Sequence, residues 1–183
     1  MDYSFEACTK NCLIESIKAP YSETLEQRIL KFAEAWSNAK NGEEHHKEDN
    51  RQEIKRFSTG ILGEAAVQTL LQTKIIDWSL GASSKYHVPD IPGYNVGIKT
   101  VEYGKFPIIF KKSYHPEIIC ILDRQKRIVY ICGLATTEVL NKYQSDSLVL
   151  SPYLKARGTK TGFYGFEYLK KITSIDDLKM YKK

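Results

Sequence analysis

Three residues of this chain carry groups that could act together on a phosphodiester: Glu64 in GILGEAAVQTLL, Asp90 in YHVPDIPGYN and Lys99 in VGIKT. The two carboxylates, with the main-chain carbonyl of Ile98, offer oxygen ligands to Mg²⁺, a hard cation that keeps several waters for a substrate phosphate to replace. Mn²⁺ is the expected substitute. Such a metal polarises a phosphodiester and lowers the pKa of a bound water, while the Lys99 ammonium positions that water and offsets charge developing at phosphorus. The expected chemistry is metal-assisted hydrolysis of a nucleic-acid backbone.

The elements that must position these groups are legible in outline. Side chains alternate along a strand, so Asn95, Gly97, Lys99 and Val101 share one face and Val96, Ile98, Thr100 and Glu102 the other. Lys99 is then the one charge on its face of a strand that otherwise looks core-forming, a costly placement without an anion nearby. Asp90 closes the preceding run KYHVPDI, and the short IPGYN connection brings it alongside Lys99. Glu64 falls on a helix over about 51–72, where Ile54, Phe57, Ile61, Gln68 and Leu71 make a stripe fit to cover a sheet. Gly60 and Gly63 weaken that helix by about 1 kcal/mol each relative to alanine, a cost tolerated where backbones approach closely.

Around this core, residues 22–39 read as an amphipathic helix with Leu25, Ile29, Phe32, Ala33 and Trp36 inward and Thr24 and Gln27 as a capping box. Residues 41–50 are a polar connection whose His45–His46 pair has nothing nearby to complete a metal site. From residue 74 the period changes: KIIDWSL, KYHVPDI and YNVGIKTVEY read as a meander of strands and FPIIF as a further short one. EIICILD and RIVYICGL read as a hairpin buried on both faces. A helix around ATTEVLNKY and an irregular C-terminal segment follow. With no repeat or low-complexity linker, residues 1–183 read as a single domain: a helical part to residue 50, a core over 51–134, and a C-terminal helix with a basic and aromatic segment over 135–183.

Composition narrows the partners. No apolar stretch approaches the roughly 20 residues of a membrane span, and MDYSFEACTKNC lacks the basic-then-apolar plan of a secretory signal, so a cytoplasmic protein without membrane partners is expected. Four cysteines do not make a disulfide scaffold. Cys120 and Cys132 lie in apolar runs, and Cys8 and Cys12, one helical turn apart, read as packing residues. The net charge of +5 is uneven, with −2 over residues 1–56 and +7 over 57–183, which points to an anionic partner, most commonly a phosphate polymer. Lys155, Arg157, Lys160 and Tyr164, interleaved in YLKARGTKTGFYGFEYLKK, with Lys111 and Lys112, are the candidate nucleic-acid contacts. The plainer alternative has the aromatics of that segment filling the edge of the core while its lysines are solvated.

Taken in chain order, GILGEAAVQTLL, PDI and VGIKT resemble the PD-(D/E)XK nuclease superfamily over about residues 51–134, and the chain looks similar to small phage-type or restriction-type endonucleases. The resemblance implies an α/β, restriction-endonuclease-like fold: a mixed sheet with a covering helix that carries Glu64, and additional helices at the N-terminus. It places Glu64 on the family's helix carboxylate, Asp90 on the Asp of the PD element and Lys99 on the motif lysine. It further implies a Mg²⁺-dependent endodeoxyribonuclease acting on DNA in a bacterial cell or infected host, as a homodimer if both strands are cut. Gly97 departs from the pattern, which has Asp or Glu there, and no helix is evident between YNVGIKTVEY and EIICILD. Glu102 points to the other face from Lys99 and cannot take over without a bulge, whereas Glu64 could supply the carboxylate from its helix. Gly97 motivates an alternative, a catalytically degenerate PD-(D/E)XK-like protein that binds nucleic acid or a protein partner without cleavage. A chance motif on a partner-binding α/β module is the third.

Overall fold

Hydrophobic periodicity and tertiary pairing together produce twelve regular elements in a computed structural model that describes residues 3–40, 50–79 and 89–183. In chain order they are α1 (Phe5–Glu15), β1 (Ile17–Pro20), α2 (Glu23–Lys40), α3 (Asn50–Leu71), β2 (Gly97–Glu102), β3 (Ile108–Phe110), β4 (Glu117–Asp123), β5 (Ile128–Ala135), α4 (Thr137–Lys142), β6 (Gln144–Ser145), α5 (Pro152–Arg157) and β7 (Lys160–Phe163). Short 3-10 turns occupy Asp146–Leu148, Phe166–Tyr168 and Ile175–Tyr181.

The architecture is mixed α/β. A four-stranded sheet runs β1-β5-β4-β2, and a three-stranded one runs β3-β7-β6. β2 pairs with β4 in parallel, while β4 with β5 and β5 with β1 are antiparallel, so the larger sheet is mixed. Its central strands are buried on both faces, as their unbroken apolar runs require. Ile118, Cys120 and Leu122 join a core with Ile61, Leu62 and Val67 of α3 and Ile29 of α2. Ile119 and Ile121 face a second core built from Phe5 of α1, Ile109 of β3, Leu140 of α4, Phe163 of β7 and Phe166. The sheet is therefore sandwiched between the α2/α3 pair and a layer formed by the small sheet with α1 and α4. No described helix is long and apolar enough to cross a membrane.

Several expectations change. KIIDWSL is not a strand: residues 74–78 are irregular, because the Gln68 side-chain carbonyl takes the N–H groups of Ile75 and Ile76 at 2.9 and 3.1 Å, the donors a strand ladder would need. Ile76 and Trp78 nonetheless pack inward. Most of KYHVPDI lies outside the described residues, and Asp90 sits in a turn rather than on a strand end. After β2 the chain makes a crossover in which β3 leaves for the other sheet before β4 returns beside β2. The capping residue of α2 is Ser22, whose hydroxyl accepts the Leu25 N–H, and Gln27 bonds Glu23 instead. Of the two helical glycines only Gly63 serves close approach: a Cβ there would lie 1.7 Å from Thr100 Oγ1, while at Gly60 nothing stands within 4 Å. The His45–His46 connection lies outside the described residues. α1 and β1 carry weak local signals. α1 buries only Phe5 and Thr9, and β1 ends on Pro20, which an edge strand tolerates.

Candidate active site

β2 ends the larger sheet, so one of its edges has no strand partner among the described residues. Gly97 N–H donates to the Pro116 carbonyl at 3.0 Å on the β4 side. In a parallel ladder, successive residues turn their main-chain groups to opposite neighbours, so the N–H and carbonyl of Ile98 both face away from β4. The Ile98 N–H is taken by Asp90 Oδ2 at 2.5 Å. An edge amide that has no strand partner among the described residues thus becomes the anchor that holds a carboxylate beside the strand.

The turn that carries Asp90 is itself pinned. Ile91 and Val96 are fully buried and joined by a hydrogen bond from Ile91 N–H to the Val96 carbonyl. Gly93 takes the left-handed conformation (φ 81°) that the tight connection demands. The C-terminus then clamps the loop: Asn95 N–H donates to the Tyr181 carbonyl, and Lys183 N–H to that of Gly93.

Glu64 and Lys99 approach this edge from opposite sides. α3 covers the β2 face that bears Ile98 and Thr100, made possible by Gly63 lying on Thr100. Glu64 follows Gly63 on that helix and is half-buried. Its pKa is raised from the ordinary carboxylate range to about 7, first by burial and then by the negative charge of Asp90. Lys99 stands on the other face. Asp90 as a residue is exposed, but its carboxylate is turned back into protein, and those close surroundings set its proton affinity. Burial raises its pKa, the Ile98 N–H opposes this, Glu117 raises it further, and His115 and Lys99 lower it. Asp90 is thus the group that links the two sides: its charge acts on Glu64, and Lys99 acts on it.

Two residues that sequence reasoning missed complete the surroundings. Glu117 is the register partner of Gly97 across the parallel pair, on the Lys99 face of the sheet. A Cβ at Gly97 would lie 2.9 Å from His115 Cε1, 3.3 Å from its Nδ1 and 3.4 Å from Asp90 Oδ2. The space that a motif side chain would fill is therefore taken by the imidazole. The only local signal was the HPE sequence opening β4; the pairing that carries it to Gly97 is non-local. Glu102 does face the other way from Lys99, as alternation requires. It is absorbed by Arg124, whose guanidinium donates to Glu102 and Glu26 and to the hydroxyls of Ser58 and Thr59, and by Lys55 at 3.0 Å.

The basic candidates divide. Lys160, on β7, is half-buried, and its pKa is lowered to about 8 by burial and then by the positive charge of Lys99, with Arg157 adding to the effect and Glu117 opposing it. It lies over the Phe110 ring, 3.0 Å from its centroid. Arg157 lies over Tyr153 at 5.7 Å and Lys112 over Tyr114 at 5.8 Å, both toward solvent. Lys155 is exposed on α5. Lys111 is tied to Asp146 at 2.6 Å. Tyr164 stacks on Tyr3 at 4.4 Å and meets Tyr143 edge-on at 6.2 Å, so its ring is engaged inside the fold. Phe163 and Phe166 are core residues, as the plainer alternative for this segment had it.

Whether this edge suits a metal depends on its donors. Two carboxylates, one of which raises the other's proton affinity, lie beside the outward carbonyl of Ile98 and offer oxygen donors of the kind a hard cation takes. They do not make a cage: among the described residues, no three His, Cys, Asp or Glu side chains are grouped to hold an ion. Donors this few and this open are the chemistry of a hydrated hard cation and not of a closed structural site. No known family model, curated protein or solved structure matches the chain.

Proposed function

We propose that this protein is a Mg²⁺-dependent endodeoxyribonuclease of PD-(D/E)XK type on a restriction-endonuclease-like core. The observation that carries the reading is Asp90 held by the Ile98 N–H at the edge of β2, where its charge raises the pKa of Glu64 on one face and Lys99 on the other lowers its own. Glu64, Asp90 and the Ile98 carbonyl would hold Mg²⁺, or Mn²⁺ in its place, which supplies Lewis-acid polarisation of the phosphodiester. Lys99 orients the attacking water and offsets charge developing on the phosphorane. The bond from water oxygen to phosphorus forms as the bond to the leaving sugar oxygen breaks. One water proton ends on the leaving alcohol and the other on the new phosphate monoester. Lys160 and Arg157, next along the surface from Lys99, steer and hold the DNA backbone.

The test is incubation of plasmid and single-stranded DNA with the protein in Mg²⁺ or EDTA, beside Lys99→Ala and Asp90→Ala. Metal-dependent cleavage by the parent and its loss in both variants is the expected result; an inactive parent refutes the reading. A second reading, a non-cleaving nucleic-acid binder, is favoured by Gly97 at the motif acid position and by the missing three-ligand cluster among the described residues. It predicts DNA binding that survives both substitutions, without cleavage by the parent.

A further inference from the structure

Resting on that reading, we propose that His115 is a catalytic residue standing in for the absent motif acid, and that position 97 is glycine to admit its ring. Pro116 supplies a carbonyl with two lone pairs. One accepts the Gly97 N–H at 3.0 Å, and His115 Nδ1 lies 3.2 Å from the same oxygen. A carbonyl only accepts, so Nδ1 carries the hydrogen and donates it, leaving Nε2 of the neutral ring as an acceptor. The two bonds to one oxygen fix the imidazole against the strand at Gly97. Any Cβ there would meet His115 Cε1 at 2.9 Å, closer than real contacts allow. The ring and Asp90 Oδ2 both lie within 3.4 Å of that same point, so the imidazole shares the neighbourhood of the metal-binding carboxylate and of Lys99.

The role this gives His115 is to accept a hydrogen bond at Nε2 from the attacking water, which holds the water's other lone pair toward phosphorus. The rival stand-in is Glu117, the register partner of Gly97, which reaches the same face with a charged and longer group.

The experiment compares DNA cleavage by the parent, His115→Gln, Glu117→Gln, Gly97→Asp, Gly97→Ala, His115→Ala and the Gly97→Ala/His115→Ala double variant, each checked for folding by thermal unfolding. The Mn²⁺ affinity of His115→Gln is measured separately. His115→Gln is expected to lower kcat about 100-fold, with KM and Mn²⁺ affinity unchanged. Gly97→Asp, although it writes the acid back into the motif, is expected to lower activity because its side chain displaces the ring. Gly97→Ala is expected to cost nothing further once His115 is alanine. Should Gly97→Ala fail to fold, His115→Gln alone decides, since it leaves the buried strand position intact. Full activity in His115→Gln, a gain in Gly97→Asp, loss in Glu117→Gln alone, or weakened Mn²⁺ binding in His115→Gln would each overturn the assignment while leaving the nuclease reading in place. A parent that does not cleave removes both.

Discussion

Glu64→Gln should make the protein more stable while removing cleavage. The Glu64 pKa is raised from 4.5 to about 7, by burial first and the Asp90 charge second, so between those values the folded chain holds the proton more tightly than the unfolded chain does. Stability therefore falls as pH rises through this window, and above about pH 7 the full cost of a buried carboxylate is in place. At about 1.4 kcal/mol per pH unit, the shift of Glu64 from 4.5 to about 7 amounts to about 3 kcal/mol. Glutamine has nearly the same shape and never carries the charge. In EDTA at pH 8, Glu64→Gln is thus expected to melt roughly 6–12 °C above the parent, given about 2–4 °C per kcal/mol for a chain of this size. At pH 4, below both values, the two proteins should melt together. In an Asp90→Asn background the gain should shrink but survive, because burial is the larger cause. Thermal unfolding followed by circular dichroism at both pH values is the assay. A Glu64→Gln protein less stable than the parent at pH 8, or equally stabilised at pH 4, would refute the claim that this carboxylate is buried at a stability cost for the sake of the site.

Arg124→Ala should unpick the junction of α2, α3 and β2, since Glu26 and Glu102, both mostly buried, lose their guanidinium partner at 3.0 Å; with some solvent screening allowed for, the expected loss is about 2 kcal/mol, or roughly 4–8 °C in Tm. Burial works against ionisation of Glu102, but Lys55 and Arg124 outweigh it and lower its pKa, so its contribution is present above the ordinary carboxylate range, is lost as pH falls through the lowered value, and the gap between variant and parent should close in acid. Lys160→Met is expected to weaken DNA binding and to reduce the slope of log affinity against log salt by about 0.9, the signature of one phosphate contact, in fluorescence anisotropy titrations. Because the Lys160 pKa is lowered to about 8, the parent should also lose affinity between pH 7 and 9 more steeply than Lys160→Met, and identical profiles would count against a phosphate contact.

How much of this was legible beforehand differs by element. Helical spacing located α2 and α3, and the unbroken apolar runs located β4 and β5, because burial on one stripe or on both faces leaves a local period that any partner surface satisfies. Alternation alone also separated Lys99 from Glu102 and put Gly97 on the Lys99 face. Residues 74–78 misled for the converse reason: a β-rich run records a preference for a half-buried pleated surface, and Gln68 claimed its amides from a helix already in place.

What only the tertiary structure decided is which strands are neighbours. Nothing local in YNVGIKTVEY announces that β2 will lie parallel to β4 at a sheet edge, since that choice closes a crossover through a second sheet and buries both faces of β4. That one pairing leaves the Ile98 amide free for Asp90, and brings His115 and Glu117 to Gly97. The amino-acid order specified the chemical groups; non-local burial, to which each local segment is blind, selected the ones that meet.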